Sequence, residues 1–394
     1  MAGFLVVEHR LATRTHATVN AGFLLALAST GARVLFAADP RHAEFVDEVL
    51  RFHGEALGGG SIDFRPLRVP RPLGEVTRVP FVAERGRVLR DLRGVVREAA
   101  PAGILYCSAA TSDPFLLSSG PDRSVPTLVV VHEIDRLLTG VGGLLTRSMP
   151  LRMGRASAVR FAVLSPPALA RVAQSRPKLR ERFCAIPIPS IDHPLDAGNQ
   201  HRGGLADSRA GALPRRGTTR FGRLGGDGRG GAEAFERVVR AVRQETQDAS
   251  FVMVGSTSAK APWADPDEVE GAGEAPLPYA EYCRRASSID YAVWLGDVTQ
   301  YALAASASAV DAVTFSRPLI ALRNPYTEWL FETFGDIGQL CDTEAEMVEA
   351  IVCRTLRENP SEYAAQVASL RAAQDHFGIR RVGSLLREQF GLTA

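Results

Sequence analysis

Lysine is nearly missing from this chain: of 46 basic residues in 394, only Lys178 and Lys260 are lysine and the rest are arginine. A GC-rich coding bias accounts for that skew, and arginine's planar fork also suits phosphate groups. Long hydrophobic runs are missing as well. No stretch reaches the ~20 apolar residues of a spanning helix, and the apolar start Phe4 to Val7 is broken at once by Glu8-His9-Arg10, too short a run for a signal peptide. A cytoplasmic protein is expected. Cysteine is scarce: Cys107, Cys184, Cys283, Cys341 and Cys353 are odd in number and scattered, so neither a disulfide framework nor a zinc site is expected, and the thiols should be free and buried. A dominant charge is lacking too. The net charge of +2, with no recognition motif, excludes a nucleic-acid partner.

What is present is enough chain for two cores of roughly 150 to 200 residues each. The hydrophobic share of 45% and charged share of 23% are those of a folded globular protein. Short β-rich apolar runs alternate with helical patterns, the signature of a parallel sheet covered on both faces. Strands are expected at Phe4 to Glu8, Arg33 to Ala38, Phe64 to Val69, Ile104 to Ser108, Thr127 to Val131, Phe161 to Leu164 and Phe183 to Ile188. The helix between the first two should span Ala17 to Thr30, with Gly31 as its left-handed cap. Residues 1–190 thus form one Rossmann-like domain, and 191–217, rich in Gly, Pro, Asp and Arg, form a linker or loop.

A second series follows over 218–375: strands Thr219 to Leu224, Phe251 to Val254, Tyr291 to Leu295 and Leu319 to Leu322, with helices at Ala232 to Glu245, Tyr279 to Ser288 and Ala307 to Phe315. Helices at Glu344 to Glu358 and Glu362 to His376 end it, and the apolar tail 376–394 is expected to pad this second core.

Ligands of open parallel sheets bind beyond the carboxyl ends of the strands, where helix N-termini offer free N–H groups. Three segments qualify. The glycine-rich turn Phe221-Gly222-Arg223-Leu224-Gly225 through Arg229-Gly230-Gly231 lets backbone approach a phosphate, with Arg223 or Arg229 as counter-charge. It fits neither the strict dinucleotide fingerprint nor the phosphate-loop pattern, and a plain flexible loop is the competing reading. In Ala305-Ser306-Ala307-Ser308 to Asp311, the serines and their N–H groups can hold phosphate oxygens, and Asp311 can accept two ribose hydroxyls. In the loop after the first strand, His9, Arg14, Thr15 and His16 stand where an acceptor would enter, and His132 ends a later strand. Histidine titrates near neutrality, as a general base requires.

These pieces resemble the GT-B glycosyltransferases, in particular the mostly retaining group that builds bacterial polysaccharides and glycolipids. The resemblance is loose and covers nearly the whole chain. It rests on Gly222-Arg223-Leu224 with Asp227 and Arg229-Gly230, on Phe251 to Gly255, and on Ser306 through Asp311-Ala312 to Pro318-Leu319-Ile320-Ala321. In the first half it rests on Val130-Val131-His132, Ala162 to Ser165 and Ile186 to Pro189. It implies an α/β fold of two Rossmann-like domains facing across a cleft and hexose transfer from a nucleotide-diphosphate sugar to a saccharide, glycolipid or small-molecule acceptor. Gly222, Arg223, Gly255, Ser306, Ser308 and Asp311 would bind the donor, Arg229 would steady the leaving diphosphate, and His9, Arg14 and Thr15 would meet the acceptor. With inversion His16 or His9 is the base; with retention His132 contacts the donor sugar.

The pattern departs from the family's. Asp311 stands for a glutamate, Arg229 for a lysine, and the first loop lacks its glycines. A catalytically inactive nucleotide-binding partner is therefore an alternative, with a sugar-nucleotide epimerase behind it. No cofactor or metal is expected: the lone Asp265-Pro266-Asp267 lies in an acidic loop. Arg147, Arg152, Arg155 and Arg160 among Leu144, Leu145, Met149, Leu151 and Met153 offer a peripheral membrane contact, against the alternative of a solvated helix with a buried face.

Overall fold

The structure, a computed structural model, describes residues 3–54, 60–67, 91–109, 124–132, 134–139, 158–191, 218–225, 231–255, 269–271, 276–296, 302–356 and 359–392, with the single positions 88, 113, 117, 143, 144, 146, 147 and 149. The chain divides into two compact units. One comprises Met1–Pro189 with Leu303–Ala305 and Gly378–Ala394; the other comprises Ser190–Ala302 and Ser306–Phe377.

In the first unit seven parallel strands are ordered β3-β2-β1-β4-β5-β6-β7. They are β1 (Gly3–Val7), β2 (Arg33–Ala38), β3 (Ser61–Pro66), β4 (Gly103–Ala109), β5 (Thr127–Val131), β6 (Val159–Val163) and β7 (Phe183–Ala185). β4 and β5 are buried at every position, which explains their continuous apolar sequence: helices on both faces leave no side for polar residues. The order reverses between β1 and β4, so the switch point lies beyond Val7 and Ala109.

The helix Ala17–Ala28 is buried at all but one of its twelve positions, because more than the sheet covers it. The C-terminal helix Ile379–Gln389 packs against it, with Gly383 so close that a Cβ would stand 2.1 Å from the Ala26 carbonyl oxygen. Beyond that helix Phe390 packs on Phe4, ring centroids 5.1 Å apart. The expectation that this tail pads the second core is therefore corrected. Its apolar residues Val382 and Leu386 are fully buried within the first unit, since the Ala17–Ala28 helix has a second apolar face that needs covering.

In the second unit five parallel strands are ordered β12-β11-β10-β8-β9: β8 (Thr219–Leu224), β9 (Ala249–Val254), β10 (Tyr291–Trp294), β11 (Leu319–Leu322) and β12 (Gly338–Cys341). Here the reversal falls between β8 and β10. The core of this unit is aromatic at its centre, where Phe221 stacks on Tyr291 and Phe235 meets Phe251 edge-on. Cys107, Cys283 and Cys341 are buried and unbonded and Cys184 is partly buried; Cys353 is exposed, against expectation. No helix of the described residues is long and apolar enough to cross a membrane. Of the proposed membrane segment, Leu144 is exposed and Met149 buried, while Arg152 and Arg155 lie outside the described residues.

Candidate active site

Each sheet carries polar residues at its switch point. In the second unit the turn after β8 opens at Gly225, whose φ of 87° favours glycine. Beside it, Gly255 ends β9 with φ 143°, and a Cβ there would stand 2.0 Å from the Gly225 carbonyl oxygen. Only two glycines allow these backbones to touch. The helix Ala307–Thr314 then begins against the same turn, since a Cβ on Gly225 would meet the Ser308 Cβ at 3.3 Å.

Ser306 is the N-cap of that helix and accepts from the Ala309 N–H at 3.3 Å. It also accepts from the indole N–H of Trp294 at 2.8 Å. Both lone pairs being taken, its own hydrogen points to Ser308 Oγ, 2.9 Å away. Ser308 is thereby made an acceptor inward and a donor outward, beside the N–H groups of a helix start. A helix start with a hydroxyl so oriented can receive an anion.

Asp311 lies one turn further on. The Tyr282 hydroxyl donates to its Oδ2 at 2.5 Å. Burial pushes the carboxyl up to about 6, with the tyrosine bond opposing the rise. Burial first and Asp311 second also push the Tyr282 hydroxyl well above its ordinary value, so it stays a donor.

Among the sequence-derived candidates, Gly255, Ser306 and Ser308 thus come together at one turn, with Asp311 on the same helix. Gly222 lies inside β8, where a Cβ would press on Ile289 Cγ2 at 2.5 Å. Arg223 is buried, its guanidinium donating to Met253 Sδ at 3.4 Å and lying against Gly231 at the start of the helix Gly231–Glu245. Arg229, Asp227 and the Asp265-Pro266-Asp267 segment lie outside the described residues.

The first unit's switch point holds a second cluster. Glu8 follows β1 and is fully buried. Its Oε1 accepts from the backbone N–H of Arg10 at 2.9 Å and of Leu11 at 3.2 Å; its Oε2 accepts from Ser108 Oγ at 2.6 Å and Asn20 Nδ2 at 3.2 Å. Asn20 Nδ2 also lies 2.8 Å from His42 Nε2, and His42 Nδ1 lies 2.6 Å from the Thr13 carbonyl. His16 precedes the helix Ala17–Ala28 in a left-handed conformation, φ 64°, and its Nδ1 lies 3.5 Å from Ser108 Oγ. The His16 ring stacks on His132, centroids 4.5 Å apart, and His132 Nε2 lies 2.8 Å from the Cys107 carbonyl.

His16 and His132 are therefore brought together. His9 is not beside them in the same way: it is 5% exposed, edge-on to Tyr106, with Nε2 3.7 Å from Asp113. Arg14 turns outward to Glu48, 2.9 Å away, and rests over the Phe45 ring; Thr15 is exposed. Sequence reasoning missed Glu8, Asn20, His42, Ser108 and Asp113 here, and Tyr282 and Trp294 in the second unit. Glu8 and Ser108 had a signal, for each is the polar residue at the carboxyl end of an apolar strand next to the switch.

Two Rossmann-like α/β units of this kind make up the GT-B fold. Solved structures share it over the full chain. The Anabaena protein HepE in complex with UDP and glucose matches with a TM-score of 0.63 over 100% of both chains at 12% identity. Arabidopsis thaliana UGT89C1 complexed with UDP matches at 0.60 over 99% of this chain and 100% of that one, at 13% identity. The glycotransferase of kitacinnamycin matches at 0.55 over 98% and 99%, at 16% identity. No family model matches the chain, and neither does any curated protein.

Proposed function

We propose that the protein is a glycosyltransferase that moves a hexose from a nucleotide-diphosphate sugar to a saccharide, glycolipid or small-molecule hydroxyl. The observation that carries this reading is the turn of Gly225 and Gly255 against the Ser306–Ser308 helix start, an anion seat at the second unit's switch point. The diphosphate takes the N–H groups and the Ser308 hydroxyl, and Asp311, one turn on, reaches the ribose. HepE and UGT89C1, which share the fold, were each solved with UDP. Charge building on the leaving diphosphate is met by fixed donors and by Arg229, so the transfer needs no metal. The His16 and His132 pair belongs to the acceptor side.

A thermal-shift panel of UDP, GDP, ADP, CMP and TDP tests the reading, each with Mg²⁺ and with EDTA. A nucleotide at 100 times its Kd stabilises by about 2.7 kcal/mol. One nucleoside diphosphate is expected to raise Tm equally in both buffers and to lose its effect in Ser308→Ala. Silence across the panel overturns the donor site; a shift that appears only with Mg²⁺ overturns metal independence.

A further inference from the structure

β3 stands at one end of the seven-stranded sheet, with β2 on one side and, among the described residues, no strand on the other. Its sequence, Ser61-Ile62-Asp63-Phe64-Arg65-Pro66, alternates polar and apolar residues, and five of the six are exposed. One bond fixes the direction of its backbone groups. Leu67 donates its N–H to the Ala38 carbonyl at 2.7 Å, so by alternation along the strand the groups of Arg65, Asp63 and Ser61 also face β2. Those of Ile62, Phe64 and Pro66 face outward. Proline has no N–H to leave unmet there, and Phe64 is 39% exposed although its ring meets Phe36 edge-on.

We propose that β3 is a contact between two copies of this chain, the two strands pairing antiparallel about a two-fold axis at Phe64. In that register Phe64 faces the partner's Phe64, and the two exchange both N–H to carbonyl bonds. Each Ile62 N–H donates to the partner's Pro66 carbonyl. The facing phenylalanine rings add an aromatic cross-strand pair. The contact lies wholly within the first unit of each copy.

The charges choose this register. Asp63 stands directly opposite the partner's Arg65, and Arg65 opposite the partner's Asp63, in non-hydrogen-bonded pairs where side chains approach closest. A slip by two residues one way sets Asp63 against the partner's Asp63. The same slip the other way sets Arg65 against the partner's Arg65 and gives Phe64 the partner's Pro66, which has no hydrogen to offer. A slip by one residue meets backbone groups already committed to β2. Each charge is flanked by an opposite one in its own copy: Arg33 Nε donates to Asp63 Oδ2 at 3.0 Å, and Arg65 Nη2 to Glu98 Oε2 at 2.9 Å. Exposed pairs of this kind contribute little within one copy. Across the join they become a row of alternating sign: Arg33, Asp63, the partner's Arg65, the partner's Glu98. An edge guarded by charges of one sign repels its own copy; β3 carries one of each.

The test is sedimentation equilibrium of the full-length protein across the micromolar range. Wild type should be a dimer. Asp63→Arg places like charges opposite each other twice, as does Arg65→Asp, and each should raise the dimer Kd about tenfold or more. Combining the two restores opposite charges across the join and should recover most of the affinity. That rescue separates a lost contact from a folding defect, as does an unchanged circular dichroism spectrum of each single variant. In amide hydrogen exchange, the outward N–H groups of Ile62 and Phe64 should be protected in the dimer and exchange freely in the single variants. A monomeric wild type overturns the proposal, as does a dimer that neither single variant weakens or one that the double variant leaves as weak as the singles. A dimer whose Ile62 and Phe64 amides exchange freely places the contact on another face and overturns it likewise.

Discussion

On the Asp311 carboxyl, burial and the hydroxyl of Tyr282 act in opposite directions. The carboxyl is displaced from 3.8 to about 6 because burial disfavours the charge more than the Tyr282 hydroxyl supports it. Between those two values the folded protein keeps a proton that the unfolded chain has lost. The carboxyl's favourable contribution is thus complete below pH 3.8 and disappears as pH rises through about 6. The displacement carries a ceiling of about 3 kcal/mol. Asp311→Asn should therefore leave Tm unchanged near pH 4 and raise it near pH 8, as a pair of calorimetric scans would show; a lower Tm at pH 8 would count against burial as the cause of the displacement. Nothing in the sequence pairs position 311 with 282. Likewise Asn20 and His42 read as ordinary helix positions, and only the fold sets both amide hydrogens of Asn20 between Glu8 and His42.

Helix starts and strand ends carry the anion seat, and they can be tested as units. Ser306→Ala removes an N-cap worth about 1 kcal/mol and strips an acceptor from the buried Trp294 N–H, at a further cost of about 1–3 kcal/mol. Denaturant titration should show a loss of about 2–4 kcal/mol, and nucleotide titration a weaker Kd. Gly255→Ala should cost more than about 2 kcal/mol, since neither its φ nor the 2.0 Å approach to Gly225 leaves room for a methyl group. At this scale the sequence was most legible where burial was two-sided. Arg33–Ala38, Thr127–Val131, Thr219–Leu224 and Leu319–Leu322 begin and end at the residues expected from their apolar runs. Edge strands were harder. β3 runs Ser61–Pro66 rather than Phe64 to Val69, and β12, Gly-Gln-Leu-Cys, gave no apolar run because three of its four residues are only partly buried. The helix Pro325–Phe334 escaped notice behind an Asn-Pro pair that reads as a turn; Asn324 and Thr327 instead form a capping box.

For the whole molecule, the alternation of strands and helices announced two parallel sheets, but not which of them the last helix would join. Periodicity shows that Ile379, Val382 and Leu386 need a partner face and is silent on whose. Gly383 gives the means to check. A side chain there must displace the Ala26 backbone, so Gly383→Val should speed hydrogen exchange across Ala17–Ala28 while β8 to β11 keep their protection. Loss of protection in the second unit alone would contradict the packing described. The covering of one helix by another also sets an order of events during synthesis. The strands of the first unit leave the ribosome before residue 190, yet their outermost apolar face waits for residues 379–389. At ribosomal speeds of about 5–20 residues per second, that face goes unprotected for roughly 10 to 40 s while the whole second unit is made. The Ala17–Ala28 helix accordingly keeps one apolar face uncovered until the helix Ile379–Gln389 has been made.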